Sequence, residues 1–294
     1  MDYRKKLIVA PDSRPRLKDF DPGWHGRHAP EEEAAEETAH HLARITAAQE
    51  LLYAERKHAL LVVLQGIDAA GKDGTCWHVL AAMNPQGVTV TGFKEPTPLE
   101  RSHDFLWRVH PHAPGLGQVA VFNRSHYEDV LVVRVHGLVP KPVWSKRYDM
   151  ITAFEGLLAA SGVTILKFFL LISPEEQLAR FRERLDDPAR QWKISDADYR
   201  ERALWDDYAK AYEAMLAKCS TRAAPWYVIP SNHKWFRNLA VSQVIASTLE
   251  DLRMRRPAPT VDLAQIRAEY HAAAADPAHP EKAAGKKKAG RKPA

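Results

Sequence analysis

Residues 66–75 read Gly-Ile-Asp-Ala-Ala-Gly-Lys-Asp-Gly-Thr. The spacing G-x-x-x-x-G-K is that of a phosphate-binding loop. Its glycines let the backbone turn so that successive N–H groups face one phosphate, and Lys72 adds a cation. Gly66, Ala69, Ala70, Gly71, Asp73, Gly74 and Thr75 make up the rest of the candidate cradle. Two details depart from the common pattern. Asp73 follows the lysine where a hydroxyl is usual, and the hydroxyl comes two residues later, at Thr75. Asp68 sets a carboxylate inside the loop. Beside a phosphate such a charge is costly unless a hard divalent cation lies between them, and Mg²⁺ is the natural candidate.

A second constellation is Asn123-Arg124-Ser125-His126-Tyr127-Glu128-Asp129, directly after an apolar run. Arg124 suits bidentate clamping of phosphate, which lysine cannot do. Glu128 and Asp129 are candidate metal or substrate ligands. Asn123 stands where phosphate-loop proteins usually carry a metal-binding Asp. A third is the stretch Arg180 to Lys193, with five cations in 14 residues. Arg180 and Arg184, four apart on a helix, would repel unless an anion is near. The stretch reads as a basic lid, with Arg180, Arg184 and Lys193 reaching the transferred group and Trp192 anchoring the arm. Lys94 and Arg108 suit an acceptor phosphate and equally a solvated surface. The 14 histidines show no metal-ligand spacing and read mostly as surface residues.

These residues need a frame. Leu60–Gln65, Val88–Phe93, Gln118–Phe122, Val163–Ile172 and Trp226–Ile229 are short apolar runs of the kind buried in a parallel sheet. Helical patterns precede and separate them: Pro30–His58, Thr75–Met83, Leu99–His110, Tyr148–Ala160, Pro174–Leu185 with Ser173 as N-cap, Asp196–Lys218 and Phe236–Met254. The alternation predicts an α/β fold, a doubly wound parallel sheet of about five strands flanked by helices. Residues 1–30 read as an N-terminal arm. Residues 31–256 read as the main domain carrying the phosphate loop, with a helical lid at about 180–198. Residues 257–294 form an Ala/Pro/Lys-rich tail expected to be mostly disordered, with a short helix at 262–274.

Charge excludes one tempting class. Lys and Arg number 42 against 37 Asp and Glu, a net charge of +5. Glu281–Ala294 alone holds six cations and one acid, so the body is balanced and offers no general nucleic-acid footprint. The tail remains a candidate second contact for a polyanion. Two cysteines are too few for a disulfide framework, and the chain opens with no long apolar run. A cytoplasmic protein without a membrane partner is expected.

Taken together, the motifs resemble the polyphosphate kinase 2 family. The resemblance is carried in order by Leu52-Tyr53-Ala54, GIDAAGKDGT, NPQGV from Asn84, FKEPT from Phe93, HDFLWR from His103 and FNRSHYEDVLVVRVH from Phe122. It continues through Phe154-Glu155 with Leu158, the segment Asp187 to Asp198, and APWYVIPSNHKW from Ala224. It covers about residues 8–254. In that family the displaced hydroxyl of Thr75 is the norm, while many members carry Asp at the position of Asn123. The resemblance implies a P-loop kinase-like fold and reversible, Mg²⁺-dependent phosphoryl transfer between inorganic polyphosphate and nucleotides, with Mn²⁺ as a substitute metal. It makes Asp68 a metal and catalytic residue, with Asn123 or Glu128 as further metal ligands. It makes Lys72 and Arg124 catalytic phosphate-holding cations, and adds Arg134 to the nucleotide-binding set. The Tyr127-Glu128 pair resembles the subgroup that accepts AMP as well as ADP. Adenine nucleotides are the expected acceptors, guanine nucleotides a further class, and a homo-oligomer (dimer or tetramer) the expected assembly. The competing enzyme reading is an ATP-dependent nucleoside monophosphate kinase, which would share loop and lid but need no polyphosphate. The competing non-enzymatic reading is a binding module that holds a polyanion through its tail.

Overall fold

The structure is a computed structural model that describes residues 1–26 and 31–275. The basic cluster Lys282–Lys292 lies outside the described residues, as does Pro30. Five strands form one parallel sheet: β1 (Ala59–Gln65), β2 (Val88–Gly92), β3 (Val119–Asn123), β4 (Val163–Leu171) and β5 (Trp226–Pro230), in the order β2-β3-β1-β4-β5. β1 is buried along its whole length, in keeping with its apolar sequence from Ala59 to Leu64.

Side chains of β1 alternate between two cores. Leu60, Val62 and Leu64 face one side of the sheet, and Ala59, Leu61 and Val63 the other. The helices are α1 (Tyr3–Leu7), α2 (Glu31–Glu55), α3 (Lys72–His78), α4 (Pro98–Arg101), α5 (Val132–Val135), α6 (Lys141–Trp144) and α7 (Arg147–Ala160). Then come α8 (Pro174–Asp186), α9 (Asp196–Ala203), α10 (Trp205–Cys219) and α11 (Lys234–Asp251). On the first face lie α2 and α11, through Ile45, Leu52, Leu239 and Val244. On the second lie α7 and α10, through Ile151, Leu158, Ala211 and Met215. The sheet is therefore doubly wound. Strand order reverses at β1, whose neighbours are β3 and β4, and ligands of such sheets bind at the carboxyl ends flanking that point.

Three elements differ from the sequence expectation. The helix expected over Leu99–His110 is only the single turn α4. Asp104 Oδ1 accepts from Leu106 N at 2.9 Å, a local bond that competes with helix, and Pro111 follows. The helix expected over Asp196–Lys218 is two helices with a break at Leu204, where no Gly or Pro marks it. The loop helix starts at Lys72 and ends at His78, passing into a 3-10 turn at Leu80–Ala82. The N-terminal arm contains α1, and Ile8 bridges Tyr227 on the edge strand β5.

By contact density the chain divides at Arg255/Arg256. The second unit contains one described helix, α12 (Leu263–Ala275). Among the described residues, no helix is long and apolar enough to cross a membrane.

Candidate active site

A cleft of about 1080 Å³ opens at the carboxyl ends of the strands. The loop after β1, residues 66–71, supplies one wall. Its path requires glycine twice. Gly71 has φ +106°, a left-handed value that other residues adopt at a cost, and a Cβ there would meet Arg237 Nη1 at 1.9 Å. A Cβ on Gly66 would lie 2.8 Å from the Leu170 carbonyl of β4. The outer carbonyls of the loop are held from α8. Gln177 Nε2 donates to Asp68 O at 2.9 Å, and Arg180 Nη1 donates to Ala69 O at 2.8 Å and Ala70 O at 3.1 Å.

Asp68, Lys72, Asp73, Asn123, Arg124 and Lys94 all line the cleft, with Ala69, Gly71 and Gly74. The Asp68 carboxylate pairs with Arg124 Nη2 at 2.5 Å. Burial pushes the Asp68 carboxyl up, but the cations of Lys72 and Arg124 outweigh it and hold it below the usual carboxylate range. Lys72 Nζ folds back on its own loop, donating to Gly66 O at 2.7 Å and Ile67 O at 3.3 Å. Burial, and then the nearby Arg124 charge, lower its pKa to about 8. Asn123 Nδ2 donates to Asp73 Oδ1 at 2.7 Å, joining the end of β3 to the start of α3.

Several expected site residues stand elsewhere. Thr75 is fully buried and its hydroxyl donates back to Gly71 O, one turn earlier in its own helix, at 3.1 Å, so it does not face the cleft. Tyr127 is fully buried as well, its hydroxyl donating to Glu155 in the core. Arg134 donates to the Tyr148 hydroxyl at 3.2 Å and lies over the Trp144 ring, away from the loop. Arg108 is nearly buried and donates to Lys94 O at 2.8 Å, which makes it a support for the segment after β2. Glu128 does not line the cleft; it accepts from Gln65 Nε2 at 3.0 Å and lies 3.8 Å from Arg124. Gly66 and Ala70 shape the loop from behind, Ala70 fully buried.

The basic arm divides into two parts. Arg180 is a fixed residue: it is 5% exposed and also donates to Ser231 O, Asn232 O and Glu176 Oε1. Arg184, Arg190, Trp192 and Lys193 line the cleft farther out. The repulsion inferred between Arg180 and Arg184 does not arise unscreened, because Arg180 pairs with Glu176 at 2.7 Å and Arg184 lies 3.7 Å from Asp198. Lys193 sits over the ring of Trp192, which is 77% exposed and does not anchor the arm.

Sequence reasoning missed Arg237. It comes from the first turns of α11 and lines the cleft beneath Gly71 and Gly74. Burial, with Arg180 beside it, lowers its pKa to about 10. The available signal was the polar run Ser231-Asn232-His233-Lys234 directly after a buried strand, the end at which such sheets bind ligands. Trp77 and Asn238 also line the cleft unforeseen.

The arrangement is a cationic trough with one loop carboxylate beside it. No group of three or more His, Cys, Asp or Glu that could hold a metal occurs among the described residues. The donors present still suit Mg²⁺. Asp68 stays ionised, and Mg²⁺ is usually held by one or two carboxylates together with substrate phosphates and water.

The family model for Polyphosphate kinase 2 (PPK2) matches residues 28–257. The chain is 52% identical over 256 residues to the AMP/ADP-polyphosphate phosphotransferase of Meiothermus ruber, across 87% of this chain and 96% of that protein. It is 48% identical over 229 residues to the ADP-polyphosphate phosphotransferase of Rhodopseudomonas palustris, across 74% and 79%. The crystal structure of Polyphosphate Kinase 2 from Arthrobacter aurescens TC1 superposes with a TM-score of 0.89 at 42% identity, covering 92% of this chain and 97% of that one. With motif order, fold and cleft in agreement, the chain belongs to the polyphosphate kinase 2 family.

Proposed function

We propose that the protein transfers a phosphoryl group from inorganic polyphosphate to AMP or ADP, reversibly and with Mg²⁺. The single observation carrying this reading is the juxtaposition of Asp68, Lys72 and Arg124 at the mouth of the β1 loop, in a chain with this family membership. The terminal phosphoanhydride bond of polyphosphate breaks as an oxygen of the nucleotide's last phosphate bonds to the same phosphorus. Polyphosphate leaves one unit shorter. Both reactants are polyanions, so catalysis rests on positioning and charge neutralisation.

In this reading Lys72 releases the loop carbonyls and turns to a phosphate, restoring a full positive charge. Arg124 leaves Asp68 to clamp another phosphate oxygen, freeing the carboxylate. Asp68 would hold Mg²⁺, with Asp73 and Asn123 at the adjoining edge; the ion would neutralise oxygens of both substrates. Arg237 and Lys234 extend the cationic track along α11, and Arg184, Arg190 and Lys193 face it from the arm as the lid. Guanine nucleotides are a further acceptor class, in line with the name of a relative 37% identical over 177 residues, the GDP-polyphosphate phosphotransferase of Mycolicibacterium smegmatis.

The test is separation of nucleotides after incubating enzyme with polyphosphate, Mg²⁺ and AMP, ADP or GDP in turn. ADP and ATP should form from AMP, and Lys72→Ala should stop it; unchanged AMP and ADP would refute the proposal. Exposed apolar side chains at Leu138, Val143, Met150 and Leu157 support a homo-oligomer, for which light scattering should give a mass above 33.2 kDa. The free thiols of Cys76 and Cys219 fit a cytoplasmic setting.

A further inference from the structure

β4 carries a lysine in the middle of an otherwise almost wholly apolar run, Val163 to Leu171. Its side chain is fully buried, where a lone ammonium would be excluded on energetic grounds. Lys167 Nζ donates to Glu155 Oε2 at 2.6 Å, to the Tyr127 hydroxyl at 2.8 Å and to Cys219 O at 2.6 Å. The Tyr127 hydroxyl in turn donates to Glu155 Oε1 at 2.7 Å, and His126 Nε2 lies 3.3 Å from the same oxygen. Burial pushes the Glu155 carboxyl up, but Lys167 and His126 together outweigh that and keep it below its ordinary value.

A buried ion pair is a weak source of net stability compared with apolar packing of the same volume. Its position suggests another use. The network grips the turn that follows Arg124. Ser125 Oγ donates to Gln65 Oε1 at 3.2 Å and accepts from Tyr127 N at 3.2 Å, while Gln65 Nε2 donates to Glu128. Each residue from Ser125 to Glu128 is thus tied by its side chain to β1, α7 or β4. Arg124 itself sits at φ +61°, a left-handed conformation that is unfavourable for a non-glycine residue and persists only where its surroundings impose it.

We propose that Lys167, Glu155 and Tyr127 are positioning residues for phosphoryl transfer. By pinning the Ser125–Glu128 turn they hold Arg124 in its left-handed backbone and aim its guanidinium at the Asp68 side of the cleft. The inference rests on the reading of Arg124 as a phosphate-holding cation. It gives the buried charge pair a function in placement, which apolar replacements would not supply.

The experiment is a double-mutant cycle on the full chain. Tyr127→Phe removes one hydroxyl that both accepts from Lys167 and donates to Glu155. With polyphosphate, Mg²⁺ and ADP, well below the melting temperature of each variant, it should lower kcat about 10-fold, the scale of a displaced catalytic group. In an Arg124→Ala background the same substitution should change the residual rate less than about 2-fold, because two sites acting through one group are not additive. Equal losses in both backgrounds, or full kcat in Tyr127→Phe while Arg124→Ala is impaired, would overturn the positioning role alone. Full activity of Arg124→Ala would overturn the phosphate-holding reading, and the positioning role with it.

Discussion

Arg180→Met separates two accounts of the basic arm. If Arg180 were a lid cation, its loss would lower turnover and leave stability unchanged. The geometry predicts a different result. Its guanidinium has five acceptors: Ala69 O, Ala70 O, Ser231 O, Asn232 O and Glu176 Oε1. Four are main-chain carbonyls, two in the loop after β1 and two in the turn after β5. Met fills much of the volume but leaves those carbonyls and the Glu176 carboxylate without their donor. Breaking a buried charged contact of this kind costs about 3–5 kcal/mol. Urea unfolding followed by tryptophan fluorescence should show that loss, with an unchanged slope. Turnover should fall as well, because the loop is no longer held from behind. Arg180→Lys should recover less than half of the stability, since one ammonium has three donors and cannot span both turns. A stability change under about 1 kcal/mol with reduced turnover would refute the reasoning and return Arg180 to the lid.

Other outcomes follow from the same geometry. Lys72 loses its proton near pH 8 in the unliganded enzyme, so its charge is complete below that pH and absent well above it. The kcat/KM for polyphosphate should therefore fall as pH rises through about 8, and Lys72→Arg should remove the inflection; a flat profile to pH 9.5 contradicts this. Gly74→Ala would place a Cβ 3.0 Å from Arg237 Nη2, offsetting the roughly 0.5–1 kcal/mol that Ala gains over Gly in a helix. That gain should reappear in an Arg237→Ala background, and its absence in thermal melts would mean that Arg237 does not crowd α3. Asp68→Asn should raise the Mg²⁺ concentration needed for half-maximal turnover at least about 10-fold, consistent with removal of an inner-sphere oxygen charge. An unchanged Mg²⁺ response would move the metal elsewhere.

Much of this was legible in the sequence because the determinants are local. The five apolar runs, the glycine spacing after the first and Ser173 before α8 each act within a few residues. Ser173 caps α8 as its sequence position indicates, its hydroxyl accepting from Glu176 N at 3.2 Å. Long-range contacts were not legible. Arg180 looks like a solvated or lid cation until the turns after β1 and β5 are brought to it. Tyr127 looks like a cleft residue until the 3-10 turn at His126–Asp129 directs it inward beside Lys167. Lys167 itself only interrupted an apolar run, and its partners lie 12, 40 and 52 positions away. His126, expected among surface histidines, is 1% exposed for the same reason. Arg237 was invisible because its role depends on how closely α11 approaches Gly71 and Gly74.

The central claim is direct transfer from polyphosphate to nucleotide at the β1 loop, and phosphorus NMR tests it most directly. Enzyme, Mg²⁺, ADP and short-chain polyphosphate should give a γ-phosphate signal that grows as the chain shortens, one phosphoryl per nucleotide. Lys72→Ala should give neither change. Growth of ATP without shortening of the chain, transfer from ATP to AMP that ignores polyphosphate, or full activity in Lys72→Ala would contradict the account.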